Sequence, residues 1–159
     1  MSARACESFN IDWLSDHQLQ CLRNLPEQCR ALFGQPGLLD ELIECMRQTP
    51  ADARWYRPAG VWVNGQCVAA GGFKGAPIKG CVEIGYRVVP EHRRKGYASA
   101  LVRWLCAQAQ QEPVRWILAL TEPGNLASRT VLSHNGFVHT GDLLSDRQHW
   151  LKRWQYRLI

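Results

Sequence analysis

The chain has 159 residues, 46% of them hydrophobic, and a formal net charge of +5. That length supports one substantial core and argues against two ordinary domains, so residues 1–159 are expected to form one; no apolar run reaches 18 residues and the first ten lack the apolar core of a secretory leader, so a soluble, cytoplasmic protein is expected. Seven cysteines, at positions 6, 21, 29, 45, 67, 81 and 106, are an odd count with no CxxC and no Cys/His zinc spacing, which argues against a disulfide framework and a metal site and points to a reducing compartment.

In chain order, a first strand is discernible only as the short stretch from Ser8 to Ile11. Ser15-Asp16-His17-Gln18 has the form of a capping box, and Leu19, Leu22 and Leu25 follow at helical spacing. Pro26 opens a second helix that Gly34 ends, and Leu38, Leu39, Leu42, Ile43 and Met46 form the apolar stripe of a third. The region up to about residue 56 is therefore expected to be helical. Gly60 to Val63 and Gln66 to Phe73 flank Asn64-Gly65, the pair that suits a tight β-hairpin. After a loop from Lys74 to Gly80, Cys81 to Val89 is β-branched or aromatic, and Pro90 stops it.

Ala98, Leu101, Val102, Leu105, Cys106 and Ala109 then recur as one helical face, which Glu112-Pro113 terminates. Val114 to Leu120 reads as a buried strand. Asn125 suits the cap of a helix running to Asn135, with Gly136 in the left-handed position after it and Phe137 packing back. Two strands close the chain: Phe137 to Gly141, and a last one on which Trp150, Trp154, Tyr156 and Leu158 alternate. Trp116, Trp150 and Trp154 fall in strand-like runs, and core burial is expected for all three. The net charge permits nucleic-acid binding, but an anionic cofactor accounts for the basic residues more economically.

Those basic residues lie between the strand ending at Val89 and the helix that follows, in Arg93-Arg94-Lys95-Gly96-Tyr97-Ala98-Ser99. The first amides of a helix have no internal carbonyl partner and carry the positive end of its dipole, so backbone alone can hold an anion there. Gly96 and Ala98 keep side chains out of the way, and three adjacent cations suit a diphosphate. An ordinary strand-to-helix turn with a solvated basic face would use the same residues.

Arg93-x-x-Gly96-x-Ala98 resembles the Gln/Arg-x-x-Gly-x-Gly/Ala signature of the GNAT superfamily of N-acetyltransferases. Asn125-x-x-Ser128 with Gly136-Phe137 downstream, and Gly72-Phe73-Lys74-Gly75 with Glu83-Ile84-Gly85-Tyr86 upstream, are similar to blocks of the same superfamily, especially the branch acting on ribosomal-protein N-termini. The resemblance covers about half the chain, from about Gly60 to Phe137. It implies an α/β (α+β) fold with a mixed, mostly antiparallel central sheet flanked by helices. A cofactor-binding core would run over about 57–141, and acetyl-CoA would be a cosubstrate held at a splay between two central strands.

Further expectations follow from the resemblance. The main chain of Val88 and Val89 would pair with the pantetheine arm, Arg93 to Ser99 would hold the diphosphate, and Asn125 would touch the pantetheine, unless it is a simple N-cap. Glu83 stands where some members keep a carboxylate that deprotonates the amine and is the candidate base, with pairing to Lys or Arg on an edge of the sheet as the alternative. Many relatives carry a Tyr acid where this chain has Leu132; Ser128 is the candidate near the sulfur, or else bonds its own helix backbone, and Tyr86 is a further candidate acid. The acceptor would be a small-molecule or peptide amine, with no metal implied and room left for a homodimer. The competing function is a non-catalytic acyl-CoA-binding regulatory module, which the missing Tyr at Leu132 motivates.

Overall fold

The computed structural model describes residues 7–158. Seven strands form one sheet in the order β1-β2-β3-β4-β5-β7-β6: β1 Asn10–Trp13, β2 Ala59–Val63, β3 Gln66–Phe73, β4 Cys81–Val88, β5 Trp116–Thr121, β6 Val138–Leu144 and β7 Trp150–Arg157. Every neighbouring pair is antiparallel except β4 and β5, so the sheet is mixed and mostly antiparallel as the resemblance implies. Three helices, α1 Asp16–Arg23, α2 Pro26–Phe33 and α3 Leu38–Gln48, separate β1 from β2; α4 Tyr97–Gln110 and α5 Leu126–His134 flank β5. The first strand lies two residues later than expected. Only Ile11 and Trp13 alternate inward from it, too few apolar positions to mark a strand by pattern.

Local chemistry explains the helix boundaries. Ser15 caps α1 reciprocally with Gln18, Pro26 occupies the first turn of α2, and Gly136 adopts φ +84 after α5. The hairpin turn at Asn64-Gly65 takes positive φ at both residues (+49 and +78).

Register decides which face each side chain occupies. Phe73 lies opposite Ile84, and Ile84 lies beside Ala119, which in turn faces Trp154; these four share the face against which α4 packs Leu101, Val102 and Leu105, all fully buried. Each such side chain contributes about 1.5–3 kcal/mol on leaving water. Trp13, on the same face, meets Trp104 of α4 at 4.8 Å. The opposite face of β3 and β4 carries α2. Gly71 is required where these strands meet: a Cβ there would stand 2.6 Å from the carbonyl oxygen of Gly85.

Of the three tryptophans expected in the core, only Trp154 is buried, at 7% exposure. Trp116 starts β5 on the α2 face and is 38% exposed under the Arg157 guanidinium, 5.7 Å from its ring, and Trp150 is 60% exposed at the far end of the β6–β7 hairpin. A β-run marks alternation without saying how far the covering helices extend, which is why the sequence pattern misplaced both.

Candidate active site

The segment after β4 is shaped for an anion. A single 3₁₀ turn, Pro90–His92, leads into Arg93 in extended conformation, Arg94 at φ +61 and Gly96 at φ +87 as the cap residue of α4. Left-handed residues separated by one neighbour turn successive amides into a common concavity that holds anions. Among the described residues no side chain caps α4 and none lies within 4 Å of where a Cβ on Gly96 would stand, so they leave the space in front of the helix open. Arg93, Arg94 and Lys95 are exposed and form no ion pair among the described residues. Among the described residues the Arg93 side chain makes only a long 3.4 Å hydrogen bond, from Nε to the Val88 carbonyl.

Two residues of the turn have their side chains committed elsewhere. Tyr97 is buried edge-on against Phe9, with ring centroids 5.6 Å apart, and Ser99 Oγ accepts a 2.9 Å bond from Asn135 Nδ2 of α5. Tyr97 and Ser99 can therefore meet a ligand here through their main chain. Beside them, His92 Nδ1 is buried with no hydrogen-bond partner among the described residues.

Next to this turn the sheet opens. Strands β4 and β5 pair only from Cys81↔Trp116 to Ile84↔Ala119, while β5 runs on through Leu120 and Thr121 against β7. Hydrogen-bond alternation then assigns the free edge. Lys74 N–H donates to Glu83 O and Val89 N–H to Val68 O, at 2.8 and 2.9 Å, so the main-chain groups of Glu83, Gly85, Arg87 and Val89 point toward β3. Tyr86 and Val88 face the gap. Val89 does not share the role expected of it, since its amide serves β3 and its carbonyl accepts from His92 N–H at 3.0 Å.

A cleft of about 870 Å³ occupies the splay. Gly85, Tyr86 and Arg87 line it from β4, Leu120, Thr121 and Glu122 from the end of β5, and Asn125, Ser128 and Leu132 from α5; Leu32, Phe33, Leu38 and Glu41 of α2 and α3 form the other wall. Gly72 lies opposite Gly85 and also reaches the cleft, so its floor carries no side chain at this cross-strand pair.

The side chains with chemistry are distributed unevenly around it. Ser128 lines the cleft, and its Oγ lies 2.6 Å from Tyr86 Oη; its amide donates to Asn125 Oδ1 at 3.1 Å, so Asn125 is the helix cap as well as a cleft residue. Burial pushes the Tyr86 phenol above its ordinary value, with the Ser128 hydrogen bond pulling the other way. Leu132 is completely buried. Glu83 stands outside the cleft lining: its Oε1 accepts a 2.8 Å bond from Lys74 Nζ, and Lys74 rather than Glu83 reaches the cavity. Glu41 and Glu122 are the carboxylates that line it, and the side chain of Glu122 makes no hydrogen bond or ion pair among the described residues. Sequence reasoning missed Glu122, Lys74 and Arg87 because charged residues in loops and at strand ends carry no pattern that separates a cleft wall from open surface.

The profile of the acetyltransferase (GNAT) domain matches residues 12–138, most of the chain. The chain belongs to the GNAT acetyltransferase family. A curated relative, the uncharacterized N-acetyltransferase YjdG of Bacillus subtilis, is 34% identical over 93 residues, 55% of this chain; the chain spans about half of that relative, 53% of its length. Among solved structures, a chimera of the spermidine N-acetyltransferase SpeG of Vibrio cholerae and hSSAT superposes with a TM-score of 0.73 at 19% identity, covering 94% of this chain and 95% of the other. The putative acetyltransferase yncA of Salmonella typhimurium, solved with its cofactor acetyl-CoA, gives 0.73 at 17% identity, covering 95% and 94%. These two likenesses establish the GNAT fold.

The residues present fit the cosubstrate of a GNAT enzyme. The open space before Gly96, the concave run from Arg93 to Gly96 and the uncapped helix suit a diphosphate, and the gap-facing edge at Tyr86 and Val88, where the Val88 carbonyl accepts only the long bond from Arg93, suits the amides of a pantetheine arm. Among the described residues no group of His, Cys, Asp or Glu could hold a metal ion, and no helix is long and apolar enough to cross a membrane.

Proposed function

We propose that this chain is an acetyl-CoA-dependent N-acetyltransferase acting on a primary amine. The observation that carries the reading is the alignment of two features: the gap between β4 and β5 opens at the end of the sheet where the uncapped helix α4 begins. A ligand with an anionic head and a thin amide-bearing arm spans both. When bound, acetyl-CoA supplies the thioester. Arg93, Arg94, Lys95 and the first-turn amides of α4, those of Ala98 and Ser99 included, hold the phosphates, while Tyr86 and Val88 hold the arm by strand-like hydrogen bonds.

The amine must lose a proton, because α-amines and lysines are largely protonated near neutral pH. Glu122 takes that proton in this reading: it lines the cleft at the open end of β5 and has no competing side-chain partner among the described residues, whereas the Glu83 carboxylate is engaged by Lys74. Glu83 then positions Lys74 over Gly85, whose would-be Cβ would stand 2.9 Å from Lys74 Cε. Lys74 and Arg87 balance Glu41 and Glu122 around the cleft, leaving no excess of negative charge for a polycation. An amino acid or a peptide N-terminus suits this lining better than spermidine does. The resemblance of the motif blocks to the ribosomal-protein branch supports including N-terminal ribosomal peptides among the acceptors tested.

The test is release of free CoA thiol from acetyl-CoA against a panel of polyamines, amino acids, peptide N-termini and lysine peptides. Turnover with an amino acid or peptide is the expected outcome. Tight CoA binding with no turnover of any amine would select the non-catalytic acyl-CoA-binding module instead.

A further inference from the structure

The helix position that carries a tyrosine acid in many relatives is occupied here by Leu132, fully buried and without a proton to give. The cleft has few other hydroxyls near the splay. Thr121 is 4% exposed and its Oγ1 already accepts from Trp154 Nε1 at 3.0 Å, which keeps it in the core. Tyr56 lies beyond the glycine floor, its Oη 3.6 Å from where a Cβ on Gly75 would stand. Tyr86 is different: its main chain faces the gap where the pantetheine arm would lie, its ring lies on the α5 side of β4, and its hydroxyl is held 2.6 Å from Ser128 Oγ.

We propose that Tyr86, held by Ser128, donates the proton to the departing CoA sulfur, so that a strand tyrosine does what the helix position no longer can. The inference rests on the acetyltransferase reading above. In the step, the neutral amine's lone pair forms the C–N bond and the carbonyl π pair moves to oxygen. The now cationic nitrogen releases its extra proton to cleft water, which later returns one to the phenolate. As the tetrahedral adduct collapses, C=O re-forms, the C–S bond breaks and its electron pair goes to sulfur, which takes the Tyr86 Oη proton. Ser128 Oγ–H donates a hydrogen bond to the phenolate so formed, and water entering as CoA leaves restores its proton. Burial keeps the phenol protonated across the working range, which a donor requires and a base would not.

The test is Tyr86→Phe, assayed with the best acceptor of the amine panel, with the CoA affinity of the variant measured by calorimetry. kcat is expected to fall by about 10²-fold, the lower end of general acid–base effects because a thiolate is already a fair leaving group. The CoA Kd should stay unchanged, and Ser128→Ala should show a smaller loss in kcat. A folded Tyr86→Phe protein with wild-type CoA affinity and kcat within threefold of wild type would overturn the proposal. If Tyr86→Phe fails to fold, a ring-fluorinated tyrosine at position 86 keeps the shape and makes the phenol more acidic. The alkaline limb of kcat should then move to lower pH; an unmoved limb would also overturn the proposal. Failure of the underlying reading is separately visible, since wild type would then turn over no amine at all.

Discussion

Glu83→Gln separates two roles that the sequence alone leaves open. The substitution removes the carboxylate that accepts from Lys74 Nζ at 2.8 Å and keeps the side chain's size. The pair is partly solvated, with side-chain exposures of 53% for Lys74 and 27% for Glu83, so its removal should cost no more than about 1 kcal/mol. Lys74 is left hydrated rather than buried and unpaired. With a urea slope of about 1–3 kcal/mol/M, the denaturation midpoint should fall by under about 1 M. kcat per folded molecule should stay within about threefold of wild type from pH 6 to 10, because the carboxylate does not line the cleft. In Glu122→Gln, by contrast, kcat should fall by about 10²–10⁴-fold at pH 7 and recover as the pH approaches the pKa of the acceptor amine. Initial rates of CoA thiol release beside a urea melt give both quantities. A drop of 100-fold or more in Glu83→Gln at pH 7, shrinking at high pH, would refute the reasoning and make Glu83 the base.

Acetyl-CoA at 100 times its Kd should stabilise the native state by about 2.7 kcal/mol, a rise in melting temperature of about 5–10 °C. Dephosphorylated pantetheine at the same concentration should give a far smaller shift. Gly96→Glu should bring CoA binding below calorimetric detection in a folded protein, since it puts a side chain and a negative charge where the diphosphate would lie at a residue with φ +87. Burial pushes the Cys67 and Cys106 thiols from 9.0 up to about 11 and about 12. Neither should react with iodoacetamide in the native protein at pH 8, as read by mass spectrometry. The same raised values favour folding below about pH 9, and that contribution is lost as the pH climbs through 11.

Much of the fold was legible because its signals are local. Ser15 and Gln18 announce a cap, Asn64-Gly65 a tight hairpin, Gly136 a helix end, and each depends on neighbours within four residues. The phosphate turn was legible for the same reason, although the left-handed Arg94 could not be foreseen in a residue with a long side chain. What escaped depends on partners distant in sequence. Val88 and Val89 look alike in the chain, and only the register against Val68 shows which presents its main chain to the gap. Glu83 lies two residues from the cleft floor, and the direction of its side chain is settled by Lys74, nine positions earlier. The pairing of Tyr86 with Ser128 joins a strand and a helix 42 residues apart.

The early parting of β4 from β5 bears on the tendency of the chain to associate through its sheet. Unpaired strand edges are ordinarily templates for aggregation, and proteins blunt them with charges, prolines or short edges. Here the exposed rungs at Tyr86 and Val88 lie inside the sheet, with β5 continuing alongside and α5 standing over the gap. The main-chain groups that a pantetheine arm would use are thereby kept away from the outer strands of the sheet, β1 and β6, where another chain would dock.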